Sequence, residues 1–389
     1  MSFLTHLECS QCGKSYSPRE VHNLCTCGSS LMAAYNLAGA AKSLSKENLP
    51  GRAPNLWRYR ELLPLFDERN IITLGEGFTP LMKAEKLGKS LGFHRLYIKD
   101  ESLNPTASFK ARGLAVAVSK AKELGITKGT LPSAGNAAGA LAAYASKAGI
   151  KTFVAMPADT PEVFSFECRA YGAEVKLVEG LISDAGRLCR ERIEEGWFDF
   201  STLKEPYRVE GKKTMGYELA EQMGWELPEV IIYPTGGGTG IIGMWKAFAE
   251  MEELGWVGRR RPRMVVVQSE GCAPIVKAYQ SRQQVSEAWE EARTLALGIR
   301  VPRAFADRLI LKAVYQSEGV AVAVSDEEIV HSFYEISQQE GILPAPEGAA
   351  TWAGLKRMRE MKLVDPDERV VLFNTGSGLK YVEVMKNQR

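Results

Sequence analysis

The chain has 389 residues, 45% of them hydrophobic and 25% charged, with a formal net charge of +2. That length exceeds one small domain, and the balance is that of a globular protein with ample material for a core. A charge so near zero gives no field to recruit nucleic acid or a membrane surface, and no apolar run approaches the ~20 residues that span a bilayer. The amino terminus has no basic-then-apolar signal pattern, so the chain reads as cytoplasmic.

Four of the seven cysteines fall in the first 37 residues, as Cys9-x-x-Cys12 and Cys25-x-Cys27. Two close pairs can deliver four thiolates to a tetrahedral metal, and Gly13 and Gly28 supply a tight turn after each pair. Residues 1–37 therefore read as a ribbon-like segment with Cys9, Cys12, Cys25 and Cys27 as ligands of a structural Zn2+. His6 and His22 are near enough in sequence to be alternative ligands. Closed by four protein ligands, such a site stabilises and does not catalyse. Cys168, Cys189 and Cys272 lie in patterned segments and read as ordinary thiols. Pro50, Gly51 and Pro54 interrupt residues 43–54, which read as a polar linker.

Beyond the linker, short β-rich runs alternate with helical ones. Residues 96–100 predict a strand and 114–124 a helix, with Asn104-Pro105-Thr106-Ala107-Ser108-Phe109-Lys110-Ala111-Arg112-Gly113 between them. A lone lysine is usually a solvated surface cation. Lys110, however, stands where a polar turn enters a helix, and the positive helix end favours its neutral amine, which suits Schiff-base chemistry with an aldehyde cofactor. A strand around Thr130 leads to Ser133-Ala134-Gly135-Asn136 and an alanine-rich helix. The plain reading of that loop is a helix start capped by Ser133 or Asn136.

Strands at 151–156, 174–178, 230–233, 264–267 and 370–374 alternate with helices at 162–171, 184–195 and 241–254. Continuous apolar strands between helices predict an α/β fold of parallel sheets covered on both faces. The run Gly236-Gly237-Gly238-Thr239-Gly240 follows a strand and opens a helix, where converging backbone N–H groups can cradle a phosphate. Gly238 to Gly243 also fits a dinucleotide fingerprint, with Glu270 ending the next strand, and the run alone leaves both readings open. Thr375 ends the 370–374 strand at the carboxyl edge, where parallel sheets bind ligands.

These runs, together with Gly75-Glu76-Gly77-Phe78-Thr79-Pro80-Leu81 and Thr375-Gly376-Ser377-Gly378-Leu379-Lys380, resemble the threonine synthases, pyridoxal-phosphate (PLP) enzymes of the tryptophan-synthase-β-like fold type II. The resemblance covers about residues 55–385. It implies two three-layer α/β/α lobes, the larger from residues 38–105 and 205–389, the smaller from 106–204, after the zinc-ribbon-like segment. It implies that Lys110 holds PLP and is the catalytic base, that Asn136 bonds the cofactor's phenolic oxygen, and that Ser133, Ala134, Gly135 and Asn136 hold a substrate carboxylate. Gly236, Gly237, Gly238, Thr239 and Gly240 are then the phosphate cradle, and Thr375 faces the pyridine nitrogen. The implied reaction converts O-phospho-L-homoserine and water to L-threonine and phosphate. A homodimer acting on a small amino acid is implied as well. Glu76 and Thr79 line or support the site, and Tyr207 to Thr214, also similar to the family, has no assigned role.

Four features depart from the family pattern. Ala107 replaces a glycine, Ala111 an aspartate and Ser377 a histidine, and the Gly236 run is of the type found in dehydratases. They leave open a PLP-dependent serine/threonine dehydratase or a β-replacement enzyme. More remote alternatives are a PLP-binding protein without turnover and an NAD-dependent dehydrogenase.

Overall fold

The computed structural model describes residues 2–180 and 182–386. Among them the strands run, in chain order, as β1 (Leu4–Cys9), β2 (Ser15–Tyr16), β3 (Leu31–Tyr35), β4 (Leu81–Lys83), β5 (Leu96–Asp100), β6 (Lys128–Pro132), β7 (Lys151–Pro157), β8 (Glu174–Val178), β9 (Phe198–Asp199), β10 (Val230–Pro234), β11 (Arg263–Ser269), β12 (Ala321–Val324) and β13 (Val370–Asn374). The chain forms two compact units. One comprises residues 1–78, 104–106 and 110–215, the other 79–103, 107–109 and 216–389.

The first unit contains two sheets. An antiparallel sheet of order β2-β1-β3 is built from the cysteine-rich segment, and a parallel sheet has order β8-β7-β6-β9. Six of the seven β7 residues are buried, as expected of an inner parallel strand, whereas the edge strand β8 is largely exposed. Helices Lys110–Glu123 and Asn136–Ala148 pack together, and from Ala111 to Ala121 every residue of the first is buried. Alanine and glycine let neighbours approach part of this helix closely, and Arg112 and Lys120 are fully buried as well. Leu4, Leu7, Cys9, Cys25, Leu31 and Ala33 of the ribbon share one apolar core with Ala111, Leu114, Leu141 and Tyr144.

Glu76 is fully buried in the same unit, and its carboxylate accepts from Trp57 Nε1 at 2.9 Å, Leu74 N at 2.8 Å and the Tyr144 hydroxyl at 2.7 Å. Burial, reinforced by that carboxylate, pushes the Tyr144 phenol up, so it stays a donor. Glu76 thus ties the Asn136–Ala148 helix to the 55–76 segment. The supposed linker at 43–54 is no linker. Leu44 and Leu49 are buried, and Arg52 reaches both the Glu61 carboxylate (2.7 Å) and the Arg58 carbonyl (2.6 Å). Its prolines and glycine shape a packed irregular segment, a distinction that composition does not encode.

The second unit is built on a six-stranded sheet of order β12-β11-β10-β13-β5-β4. All its neighbours are parallel except the β4–β5 pair. β10 and β13 are buried at every position, matching their unbroken apolar sequences. β10 and β13 are neighbours running in the same direction, so Thr235 and Thr375 emerge at one carboxyl edge. Beneath lies a buried polar cluster. Lys99 Nζ donates to Glu218 (2.6 Å), Gln222 (2.8 Å) and the Thr79 carbonyl (2.6 Å), and Thr79 donates to Glu101 at 2.6 Å.

Candidate active site

Lys110 is the first residue of the Lys110–Glu123 helix, four residues earlier than the sequence periodicity predicts. The turn before it is left-handed at two non-glycine residues, Thr106 (φ 58°) and Ala107 (φ 52°). Left-handed backbone costs an L-residue about 1–2 kcal/mol, which fits the glycine that the family resemblance implies at the Ala107 position. The surroundings hold the turn in place. In the second unit, Phe109 N donates to the Thr375 carbonyl and Ser377 N to the Ala107 carbonyl, both at 3.0 Å, and Ser108 bridges Gly376 in antiparallel fashion. The Phe109 ring meets Tyr233 edge-on with centroids 6.1 Å apart, and Tyr233 packs on Phe373 at 5.3 Å. Lys110 is the next residue after this anchored triplet.

The glycine run occupies the same edge of the second unit. A Cβ on Gly236 would stand 2.8 Å from the Gly298 carbonyl oxygen, one on Gly238 2.2 Å from Ile310 Cδ1, and one on Gly240 2.1 Å from the Tyr233 hydroxyl. Gly238 is also left-handed (φ 79°) and is the N-cap of the Thr239–Glu253 helix, with no side chain capping it. The first N–H groups of that helix are therefore available to an anion, and no side chain could be inserted among them. Gly237 lies within the turn and Thr239 is buried at the helix start. Thr375 is buried directly after β13. A glycine-only turn at an uncapped helix start, with a hydroxyl on the neighbouring strand end, is a donor set that fits a phosphorylated pyridine cofactor. Glu270, the acid of the dinucleotide alternative, is paired with Arg357 at 2.7 Å.

In the first unit, Ser133, Ala134 and Gly135 follow the carboxyl end of β6, and Asn136 opens the Asn136–Ala148 helix. Neither Ser133 nor Asn136 is the cap. Gly135 holds that position and no side-chain cap is present, so this helix too offers uncapped N–H groups.

Sequence reasoning passed over two residues. Glu347, buried near the start of the Pro346–Glu360 helix, accepts from Gly298 N and from the Tyr381 hydroxyl, and so supports the loop behind Gly236. An acid after proline at a helix start reads as ordinary first-turn charge. Arg208, in the run left without a role, is 1% exposed. Its Nη1 donates to the Phe200 carbonyl at 2.6 Å, while Nε and Nη2 are buried without an acceptor among the described residues.

The sulfur atoms of Cys9, Cys12, Cys25 and Cys27 all lie within 4.8 Å of one another, and neither histidine belongs to this group. Gly13 (φ 72°) and Gly28 (φ 83°) make the two turns, and Cys12 N and Cys27 N point at the Sγ atoms of Cys9 (3.4 Å) and Cys25 (3.5 Å). The backbone N–H of Cys27 and the Tyr16 hydroxyl hold the Cys25 thiol down at about 5. Four convergent sulfurs with N–H support fit a closed tetrahedral site for a thiophilic ion.

A family model described as "Pyridoxal-phosphate dependent enzyme" matches residues 72–376. The threonine synthase of Methanocaldococcus jannaschii is 37% identical over 96% of this chain and 92% of its own length, and that of Methanosarcina acetivorans has the same identity and coverage. The threonine synthase of Halalkalibacterium halodurans is 34% identical over 84% of this chain and 89% of its own. Among solved structures, maize serine racemase superposes with a TM-score of 0.69 at 20% identity, covering 87% of this chain and 98% of that one. The threonine deaminase isoform 2 of Solanum lycopersicum gives 0.67 at 22% identity, over 79% and 83%. Those two likenesses establish the fold alone. Glycine turn, lysine run and relatives together place the chain in the threonine synthase family of pyridoxal-phosphate-dependent enzymes.

Proposed function

We propose that the protein converts O-phospho-L-homoserine and water to L-threonine and phosphate. Identity of 37% to threonine synthases across 96% of the chain is the observation that supports this reading most. Lys110 is assigned as the cofactor-bearing and catalytic residue. Gly236, Gly237, Gly238, Thr239 and Gly240 would hold the cofactor phosphate with backbone N–H groups, Asn136 its phenolic oxygen, and Thr375 its pyridine nitrogen. PLP bound there supplies the electron sink that lets protons leave Cα and Cβ of the substrate. The uncapped helix start after Ser133, Ala134 and Gly135 receives the substrate carboxylate. The Lys110 amine would act as the base that moves protons at Cα and Cβ. Phosphate departs from Cγ, which takes up a proton to become the methyl carbon, while water adds its hydroxyl at Cβ and Cα regains its proton.

The four cysteines are assigned a structural Zn2+ that closes the ribbon.

Two measurements test these assignments, and a third reads the charge of the buried Glu205. The purified protein with PLP should release inorganic phosphate from O-phospho-L-homoserine, and Lys110→Ala should abolish both release and the visible cofactor band. α-Ketobutyrate from threonine with no phosphate release would instead identify a dehydratase. Metal analysis should find one zinc per chain, lost on Cys12→Ser; a zinc-free, fully stable protein would refute the ribbon site. The third concerns Glu205, whose carboxyl is pushed from 4.5 up to about 7 by burial. The folded protein keeps this proton where the unfolded chain has lost it, so stability falls as pH rises through that window. Glu205→Gln removes the slope. Between pH 4.5 and 8 the variant should gain about 3 kcal/mol on wild type at most, read by urea unfolding. A constant difference across that range would show that Glu205 is ionised throughout.

A further inference from the structure

We infer that the cysteine ribbon braces the Lys110 helix, with Asn23, Ser30 and Tyr35 as positioning residues. The inference rests on the reading that Lys110 is the catalytic lysine. Asn23 stands two residues before Cys25, and Ser30 three after Cys27, so both take their places from the cysteine cluster. Asn23 Nδ2 donates to the carbonyls of Asp199 (2.8 Å) and Lys204 (2.9 Å). Ser30 Oγ, itself buried, donates to the Leu203 carbonyl at 2.8 Å. Ribbon side chains thus satisfy three carbonyls, one at the end of β9 and two in the turn that follows it. The loop needs that support, because Leu203 is left-handed at φ 59°.

The third contact comes from the end of β3. The Tyr35 hydroxyl donates to Glu210 Oε2 at 2.9 Å, Lys213 Nζ meets the same oxygen at 2.7 Å, and that ammonium lies 3.8 Å from the Tyr35 ring centroid. Glu210 and Lys213 are fully buried. They lie on the opening turns of the Arg208–Gln222 helix, into which the braced loop runs.

Those turns press on the Lys110 helix backbone to backbone. A Cβ on Gly211 would stand 2.1 Å from the Arg112 carbonyl oxygen, and one on Gly113 2.8 Å from that of Arg208. With glycine on both sides no side chain can rearrange to absorb a shift, so displacement of one helix moves the other. Gly113 is one turn from Lys110. The path from the cysteines to the lysine therefore runs through Asn23 and Ser30 to residues 199–204, through Tyr35 to Glu210, and across the glycine contact.

The test uses protein carrying zinc and PLP. Wild type, Asn23→Asp and Ser30→Ala are compared by metal content, amide hydrogen exchange over residues 110–115 and 199–215, and phosphate release. Asn23→Asp keeps the shape but sets an acceptor against two carbonyls. It should retain zinc, exchange faster over both segments, and lose about ten- to a hundred-fold in kcat with KM little changed, as a small misplacement of a catalytic group does. Ser30→Ala should change both in the same direction by less, and Ser30→Thr should restore them. Faster exchange confined to 199–204, with wild-type kcat, overturns the brace, as does wild-type exchange throughout. If Asn23→Asp fails to fold, Ser30→Ala is judged by the same criteria. Lys110→Ala is the control. Turnover by that variant would refute the lysine reading itself, and exchange over 110–115 would still decide the brace.

Discussion

The site depends on how residues 107–109 are held. Two backbone hydrogen bonds and a bridge fix them to residues 375–377, directly after the central strand β13. That strand lies between β10 and β5, all three buried and parallel, so the anchor belongs to the least deformable part of its sheet. The left-handed backbone at Thr106 and Ala107 is sustained by this anchorage. The chain then enters a helix at once, and its first residue is the lysine. One short ladder thus ties the hydroxyl proposed for the pyridine nitrogen and the peptide preceding the proposed catalytic lysine to the same strand end.

A second theme is the use of backbone N–H groups where side-chain caps are missing. The helices that start at Asn136 and Thr239 both begin after an N-cap glycine with no side-chain acceptor. By contrast, Asp326–Glu340, a helix with no proposed role in the site, has a complete capping box between Ser325 and Glu328. The difference is local and physical. A capped helix has spent its first donors, whereas an uncapped one can give them to an anion.

What the sequence made legible were features with a local signature. Glycines that no side chain could replace, apolar strand runs and paired cysteines all appear as short motifs, and the structure gives each a backbone reason. Long-range polar contacts had no such signature. Nothing in the letters around Asn23 announces two carbonyls some 180 residues away, and nothing near Glu76 announces Tyr144. The helix begins at Lys110, ahead of its visible periodicity, because Lys, Arg and Gly in its first turn obscure the pattern. Residues 43–54 carry the signature of a linker because prolines mark a packed irregular segment as readily as a free one. Buried pairs such as Lys99 with Glu218 were also invisible, since charged residues are ordinarily exposed and their burial follows from topology alone.

The central claim is that Lys110, placed by the 107–109 anchor, is the residue that bonds the cofactor. Borohydride reduction of the PLP-loaded protein, followed by proteolysis and mass spectrometry, tests it directly. The account predicts a single reduced pyridoxyl adduct on the peptide containing Lys110. An adduct on another lysine, such as Lys212, or a cofactor released intact after reduction, would contradict it.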